Sequence, residues 1–516
     1  MTPHLHNPQQ AAQWLKQRVR GTLQTDSRKL APGDAFIAWP GATTDARTKV
    51  RDALDHGAAA CLVEEQGVEA FGFDDPRVAS MTKLQAASAL VADAYCDHPS
   101  HALDVLAVTG TNGKTSTVWW LAQALSGASL AQPQPCAMIG TLGVGFPARR
   151  GQAVAGTSAL ATLPGCGLTT PDGVLLQTSL RQFADAGAQA CAIEASSIGI
   201  EAHRLDGVRI HTAIFTNFTQ DHLDYHGSMA NYWRAKERLF HWPGLRAAVI
   251  NIDDPQGQAL AASLTGPDLD LWTVSRERPA RLHASGLQNT PTGMRFTVTE
   301  NAQQHLVETR LIGHYNVSNL LGVLATLRTL GLPLQQAVTA CHDLAPAPGR
   351  LQCVELAGRP LAVVDYAHTP DALEKALAAL RPLAGQRGGK LWCVFGCGGD
   401  RDPAKRPLMG AVAARGADNV VLTSDNPRNE NPQAILQQIA PGLTGHARMT
   451  QLEDRRQAIA HAIRSARGND VVLVAGKGHE SYQEIAGARL PFSDLVEVRQ
   501  ALAAWQADMP APGVAA

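Results

Sequence analysis

The chain has 516 residues, too many for one ordinary hydrophobic core and enough for roughly three or four domains. Lys plus Arg is 45 and Asp plus Glu is 46, a formal net charge of −1, which excludes a global basic field for nucleic acid and a like-charged interaction tail. No run of about 18 apolar residues occurs, and the opening residues have neither a basic n-region nor an apolar h-region, so the chain is expected to be soluble and cytoplasmic, with no membrane insertion.

Residues 1–100 read as a small α/β domain with strands at 35–39 and 59–64. Its polar chemistry sits in a loop, where Thr25-Asp26-Ser27-Arg28 precedes Pro32-Gly33-Asp34. By composition this is a turn, since Asp, Ser, Pro and Gly all favour turns. His98-Pro99-Ser100 marks the first boundary. Nine cysteines, an odd number, lie mostly in apolar stretches such as those around Cys61, Cys191 and Cys393, which predicts buried thiols in a reducing compartment. Cys393 and Cys397 have no second pair or nearby His group to complete a zinc site.

The central domain, 101–345, opens on VLAVTGTNGKTSTVWWLAQAL at 105–125. Strand-type residues at 105–109 run into Gly110-Thr111-Asn112-Gly113-Lys114-Thr115, and Val118, Leu121 and Leu125 then recur at helical spacing. In such a strand–loop–helix unit glycines let successive N–H groups face inward and the helix start adds partial positive charge, while Lys114 reaches outer phosphates and the Thr115 hydroxyl ligates Mg²⁺. The usual G-x-x-x-x-G-K-[ST] spacing would need glycine at 108, where this chain has Val108, so the loop is a shorter variant. Strands at 190–193, 212–215 and 247–250 end in Glu194-Ala195-Ser196-Ser197, in 216–222 and in Asn251. In an open parallel sheet such polar ends gather at one edge with the loop, and Glu194 suits Mg²⁺ there. Asp221-His222-Leu223-Asp224-Tyr225-His226 reads equally as a metal site or as loop hydrogen bonds, and Lys236 reads by spacing as a solvated helix lysine. Residues 313–319 open a further helix.

Ala345-Pro346-Ala347-Pro348-Gly349-Arg350 leads into a C-terminal domain, 346–516, that repeats strand, motif, helix. Strands at 361–364, 391–395, 420–423 and 471–474 end in D-Y-A-H-T-P (365–370), G-C-G-G-D-R-D (396–402), S-D-N-P-R (424–428) and A-G-K-G-H-E (475–480). This alternation predicts a doubly wound parallel sheet with the four motifs on one edge, although each alone could be a turn. The Pro/Ala-rich end is expected to fray.

Together T-G-T-N-G-K-T (109–115) and the four C-terminal motifs resemble the Mur ligase and folylpolyglutamate synthetase superfamily, and within it the Mur ligases that act third in peptide addition. The resemblance runs from about Thr25 to Asp494 and implies three α/β domains: an N-terminal uridine-substrate domain, a central P-loop-like ATPase domain and a Rossmann-like C-terminal domain. It implies that Gly110, Thr111, Asn112, Gly113, Lys114, Thr115 and Ser116 hold ATP, with Asn319, Arg350 and Asp365. It further implies Mg²⁺ on Thr115, Glu194 and a carbamylated Lys236, with His222 in the loop beside the ATP site. By the same resemblance Thr25 and Ser27 meet uridine, and Thr169, Thr170, Ser196 and Arg204 hold the rest of a UDP-N-acetylmuramoyl dipeptide. Arg401, Asp425, Asn426, Pro427, Arg428, Gly476 and Glu480 would take the incoming amino acid, and D-N-P-R accompanies the relatives that add meso-diaminopimelate. Ala202, Ile198 and Ala42-Thr43-Thr44 depart from common family residues, and 126–167 is longer than in relatives.

The chemistry implied is phosphorylation of the D-glutamate side-chain carboxylate by ATP, then amine attack on the acyl phosphate. Because an acyl phosphate hydrolyses if wet, the C-terminal domain is expected to close over the central one. The substrates are small molecules and a monomer is expected. A lysine-adding relative usually lacks the D-N-P-R arginine, and a folylpolyglutamate synthetase would not need the Thr25-Asp26-Ser27 loop. An unrelated P-loop kinase would leave the C-terminal domain without a task, and a non-catalytic scaffold would leave Glu194, Lys236 and Asp365 without a common purpose.

Overall fold

The computed structural model describes residues 2–41, 44–127, 129–130, 132–147, 168–264, 266–290 and 293–506. Ala42 and Thr43, most of the long 126–167 segment and the Pro/Ala-rich end lie outside these residues. The chain forms two compact units: Met1–His283 with Glu300–Gln303 and Asn319–Cys341, and Ala284–Thr299 with Gln304–Ser318 and His342–Ala516. Among the described residues no helix is long and apolar enough to cross a membrane.

The first unit begins with four parallel strands in sequence order, Leu23–Gln24, Ala35–Ala38, Ala60–Glu64 and Val78–Met81. Successive side chains point to opposite faces of a strand. Ala35 and Ile37 accordingly join Trp14, Leu15 and Val91 in one core, while Phe36 and Ala38 join Val50 and Ala53 in another. Burial on both faces is why these strands read as unbroken apolar runs.

The larger sheet of this unit places Asp104–Thr109 between Ile210–Phe215 and Ala190–Glu194. Ala247–Asn251 and then Asp270–Ser275 extend it on one side, and Cys136–Gly140 with the antiparallel Gly143–Gly145 on the other. Val105, Ala107, Cys191, Ile193, Ala213 and Phe215 pack on Leu176, Leu180 and Phe183 of the helix Gly173–Asp185. Because the strands are parallel, Thr109, Glu194, Phe215 and Asn251 all finish at one edge.

The second unit is built on a sheet ordered Gln352–Val354, Leu361–Asp365, Val471–Ala475, Leu391–Phe395, Asn419–Leu422 and Met449–Gln451, parallel except at its first pair. Val363, Cys393, Phe395 and Leu473 face the helices Pro370–Gln386, Lys405–Gly416 and Pro432–Ile439. Val364, Val394, Val421 and Val474 face Arg455–Ser465 and Asp494–Ala503, so the sheet is doubly wound as expected. Cys393 is a core thiol and Cys397 Sγ lies 3.6 Å from Met409 Sδ. Burial pushes the thiols of Cys393 and Cys397 up to about 12, so they sit here as packed apolar groups. The strands Leu282–Thr290, Gly293–Glu300 and Gln303–Thr309 lie outside the elements expected from the sequence, although Met294, Phe296 and Val298 alternate with polar residues and are buried.

Candidate functional site

Strand Asp104–Thr109 and helix Lys114–Ser126 are joined by a loop whose two glycines are required by space as well as by backbone angle. Gly110 has φ +146° and a Cβ there would lie 1.9 Å from Thr216 Oγ1; Gly113 has φ +87° and a Cβ there would lie 2.5 Å from Asn319 Oδ1. The neighbouring strand end sets the loop's shape. The Thr111 N–H donates to the Asn217 carbonyl at 2.8 Å and the Asn112 N–H to Asn217 Oδ1 at 2.9 Å. Thr216 Oγ1 and Asn217 Nδ2 donate to the Asn112 carbonyl at 2.6 and 3.0 Å. Thr216 and Asn217 open the polar run 216–222 that the sequence placed at this edge, though not as contacts that shape the loop. The helix begins at Lys114, directly after this loop, so the partial positive charge of its N-terminal end adjoins the loop, which fits the phosphates of a nucleotide.

Two lysines serve the same loop carbonyl. Lys114 Nζ donates to the Gly110 and Thr111 carbonyls at 2.8 Å each, and Lys236 Nζ donates to the Gly110 carbonyl at 2.9 Å. Lys236 is not a solvated helix lysine: it is 1% exposed, and its Nζ stands 4.4 Å from the Tyr232 ring centroid. Helical spacing reports a lysine's position along its own helix, not what packs over it. Desolvation first, then the Lys114 charge, holds the Lys236 ammonium well below the usual lysine range. Desolvation, with Lys114 and Lys236, also lowers His222, whose Nε2 stands 3.6 Å from Asp221 Oδ2.

Glu194, 1% exposed, joins the loop to the residues expected to hold the second substrate. Thr115 Oγ1 donates to Glu194 Oε2 at 3.0 Å, and Thr141 donates from its N–H to Oε1 at 2.8 Å and from its hydroxyl to Oε2 at 3.3 Å. A hydroxyl and a carboxylate held together at a helix start form an oxygen donor pair that fits Mg²⁺. Thr141 Oγ1 also lies 3.2 Å from Thr169 Oγ1, and Thr170 Oγ1 donates to the Glu194 carbonyl at 2.6 Å. The Ser196 N–H donates to Thr170 Oγ1 at 3.0 Å and Arg204 Nη1 to the Thr170 carbonyl at 2.7 Å. Thr169, Thr170, Ser196 and Arg204 are therefore brought together with Glu194, and Thr141 is a member that the sequence did not reveal. Ile198 lies on the short helix Ser197–Glu201, and Ala202 directly follows it.

Thr25 and Ser27 stand just beyond Leu23–Gln24, in a turn fixed by Asp26, whose carboxylate takes two hydrogen bonds of 2.8 Å from the Arg28 guanidinium. Among the described residues no hydrogen bond links either hydroxyl to the Thr170–Arg204 group.

In the second unit Asp365 is buried, and its carboxylate accepts from the backbone N–H groups of Leu351 at 2.7 Å and Ala367 at 2.9 Å. Burial raises its pKa and Arg350 partly opposes this. Asp365 thereby braces the segment that carries Arg350, whose guanidinium lies 4.6 Å from the Tyr366 ring centroid. The other three motifs meet at the same sheet edge. Asp425 and Gly476 touch so closely that a Cβ on Gly476 would lie 2.2 Å from Asp425 Oδ2. Arg428, at φ +51° after Pro427, donates from Nη1 to the Gly399 carbonyl at 2.6 Å. Arg401 is exposed beside it, near Gly398. Asn426 Nδ2 donates to Glu480 Oε2 at 2.8 Å. Beneath the edge, the fully buried Arg455 makes two 2.7 Å bonds to Asp494 and donates to the carbonyls of Ser424 and Ala475, joining two motif-bearing strand ends.

Desolvation, then the charges of Arg350 and Lys477, lowers His479 to about 4. Its folded pKa is thus below the unfolded value of about 6.5. The unfolded chain takes up a proton that the folded one refuses, and stability should fall as pH drops from about 6.5 to about 4. Urea unfolding of His479→Gln across this range should show a shallower loss than the parent; identical slopes would exclude His479 as a source.

The Mur ligase middle domain model matches residues 108–327, and the Mur ligase, glutamate ligase domain model matches residues 349–478. The chain is 59% identical over 498 residues to the UDP-N-acetylmuramoyl-L-alanyl-D-glutamate--2,6-diaminopimelate ligase of Acidovorax sp. (strain JS42), covering 96% of this chain and 97% of that protein. It is 47% identical over 505 residues to the ligase of the same name from Ralstonia nicotianae, covering 95% of each. A solved structure of a UDP-N-acetylmuramoyl-L-alanyl-D-glutamate--2,6-diaminopimelate ligase is similar at TM-score 0.63 and 37% identity, covering 94% of each chain.

Proposed function

The chain belongs to the Mur ligase family, and from that premise we propose that it joins 2,6-diaminopimelate to UDP-N-acetylmuramoyl-L-alanyl-D-glutamate with cleavage of ATP, a cytoplasmic step of peptidoglycan precursor synthesis. The observation that carries this reading is Glu194. One buried carboxylate accepts from Thr115 at the phosphate loop, while its own backbone carbonyl accepts from Thr170 in the group that includes Ser196 and Arg204. A nucleotide site and a second substrate site built around one residue suit phosphoryl transfer between two bound molecules.

Residues 110–116 would hold the ATP phosphates, with Asn319 packed against Gly113. Thr115 and Glu194 would hold Mg²⁺, which would supply charge neutralisation of the phosphate oxygens. The Lys114 ammonium offsets charge growing on the transferred phosphoryl group. The D-glutamate carboxylate, a poor acylating agent, becomes a good one as the acyl phosphate, and the diaminopimelate amine displaces phosphate from it to form the amide. The lowered pKa of Lys236 supports its reading as the carbamylated lysine, because only the free amine adds CO₂. Density of a carboxylate on the Lys236 tip in a substrate-bound crystal would bear this out, and a bare ammonium would refute it.

The test is phosphate release by pure protein with ATP and Mg²⁺. Release should require both the uridine muramoyl dipeptide and diaminopimelate. Equal release when either is omitted would overturn the reading in favour of a simple NTPase.

A further inference from the structure

Lys477 is fully buried, with 0% exposure, at the carboxyl end of strand Val471–Ala475. A buried ammonium must be paired and hydrogen-bonded to remain there charged. Lys477 Nζ donates to Asn426 Oδ1 and to Glu480 Oε2, each at 2.8 Å, and lies 5.7 Å from the Tyr482 ring centroid. Asn426 Nδ2 closes the triangle by donating to Glu480 Oε2 at 2.8 Å. Asn426 Oδ1 also accepts from the Glu484 N–H at 3.0 Å, so both donors to that oxygen fix which way the amide points.

The arrangement treats the two oxygens of Glu480 unequally. Oε2 carries two inward hydrogen bonds, from Lys477 and Asn426. The side chain retains 19% exposure, and among the described residues Oε1 accepts no hydrogen bond. A carboxylate held by one oxygen has its other oxygen aimed in a fixed direction.

We propose that Lys477 is the positioning residue of the amino-acid site. It holds Glu480 so that Oε1 meets the ammonium beside the far carboxylate of the incoming diamino acid, and it sets the Asn426 amide in the turn that carries Arg428. This rests on the functional reading above. Lys477 touches no substrate; its effect passes through Glu480.

A double-mutant cycle on the full-length protein tests this, with KM for diaminopimelate as the main readout and KM for ATP as the control. Glu480→Gln should raise the diaminopimelate KM by roughly 10- to 100-fold, the range for a hydrogen bond to a charged group. Lys477→Met should raise it by about 10-fold with the ATP KM within about twofold, since Glu480 is no longer aimed. In the Glu480→Gln background, Lys477→Met should add less than about twofold, because its route of action is already gone. If Lys477→Met does not fold, the comparison of Glu480→Gln with the double variant still decides, since the double variant leaves no buried charge unpaired. An unchanged diaminopimelate KM in folded Lys477→Met, or an equal effect in both backgrounds, overturns the proposal. Failure of the parent protein to use diaminopimelate at all would instead overturn the functional reading, and is seen before any variant is made.

Discussion

Lysine should be a poorer substrate than diaminopimelate by about 10⁴-fold or more in kcat/KM, because a site built to bond a polar group rejects an analogue that lacks it. Diaminopimelate differs from lysine by one carboxylate on its far end. On the proposed reading, Arg428 would receive it. Of the five N–H donors of its guanidinium, one is spent on the Gly399 carbonyl at 2.6 Å, and Glu484 stands 3.9 Å away, too far for a close pair. The remaining donors suit a forked bond to a carboxylate. The backbone is committed as well. Arg428 sits at φ +51°, and its N–H and carbonyl pair with Glu484 O at 2.9 Å and Ala486 N at 2.7 Å. A left-handed non-glycine residue is held only where surrounding bonds over-determine it. Arg428→Ala should therefore raise the diaminopimelate KM far more than the ATP KM, and narrow the preference over lysine. Comparable use of both amino acids by the parent protein would remove Arg428 from recognition even if the ligase reading stood.

Lys114→Ala should lose about 10²- to 10³-fold in kcat, or roughly 2.7–4 kcal/mol of transition-state stabilisation, the amount typical of a key electrostatic group. The ammonium lies within the cradle, 2.8 Å from the carbonyls of Gly110 and Thr111. Fold should survive, since the loop is also held by Thr216 and Asn217 through bonds that do not involve this side chain. Circular dichroism establishes the fold and phosphate release gives the rate. Near-normal turnover in a folded Lys114→Ala protein would take the loop out of the mechanism. Loss of ATP affinity with kcat unchanged would point to a role in binding alone.

What the sequence determined by itself is local. The phosphate loop was legible because strand, Gly110, Gly113, Lys114 and helix follow one another within 104–126, and the chain order alone places them. The doubly wound sheet was legible because Val471–Ala475 and its neighbours are apolar on both faces and alternate with helices. The tertiary structure decided what depends on residues distant along the chain. Lys236 is buried because it reaches Gly110, 126 positions away, and the loop's shape rests on Asn217, 105 positions from Asn112. Lys477 is paired with Asn426, 51 positions away. Burial and pairing are properties of what packs over a side chain, and residue spacing reports only the element that carries it. A lysine in a helix or after a strand therefore looks the same in sequence whether its ammonium meets water, a carbonyl or a carboxylate, and here the fold chose the last two.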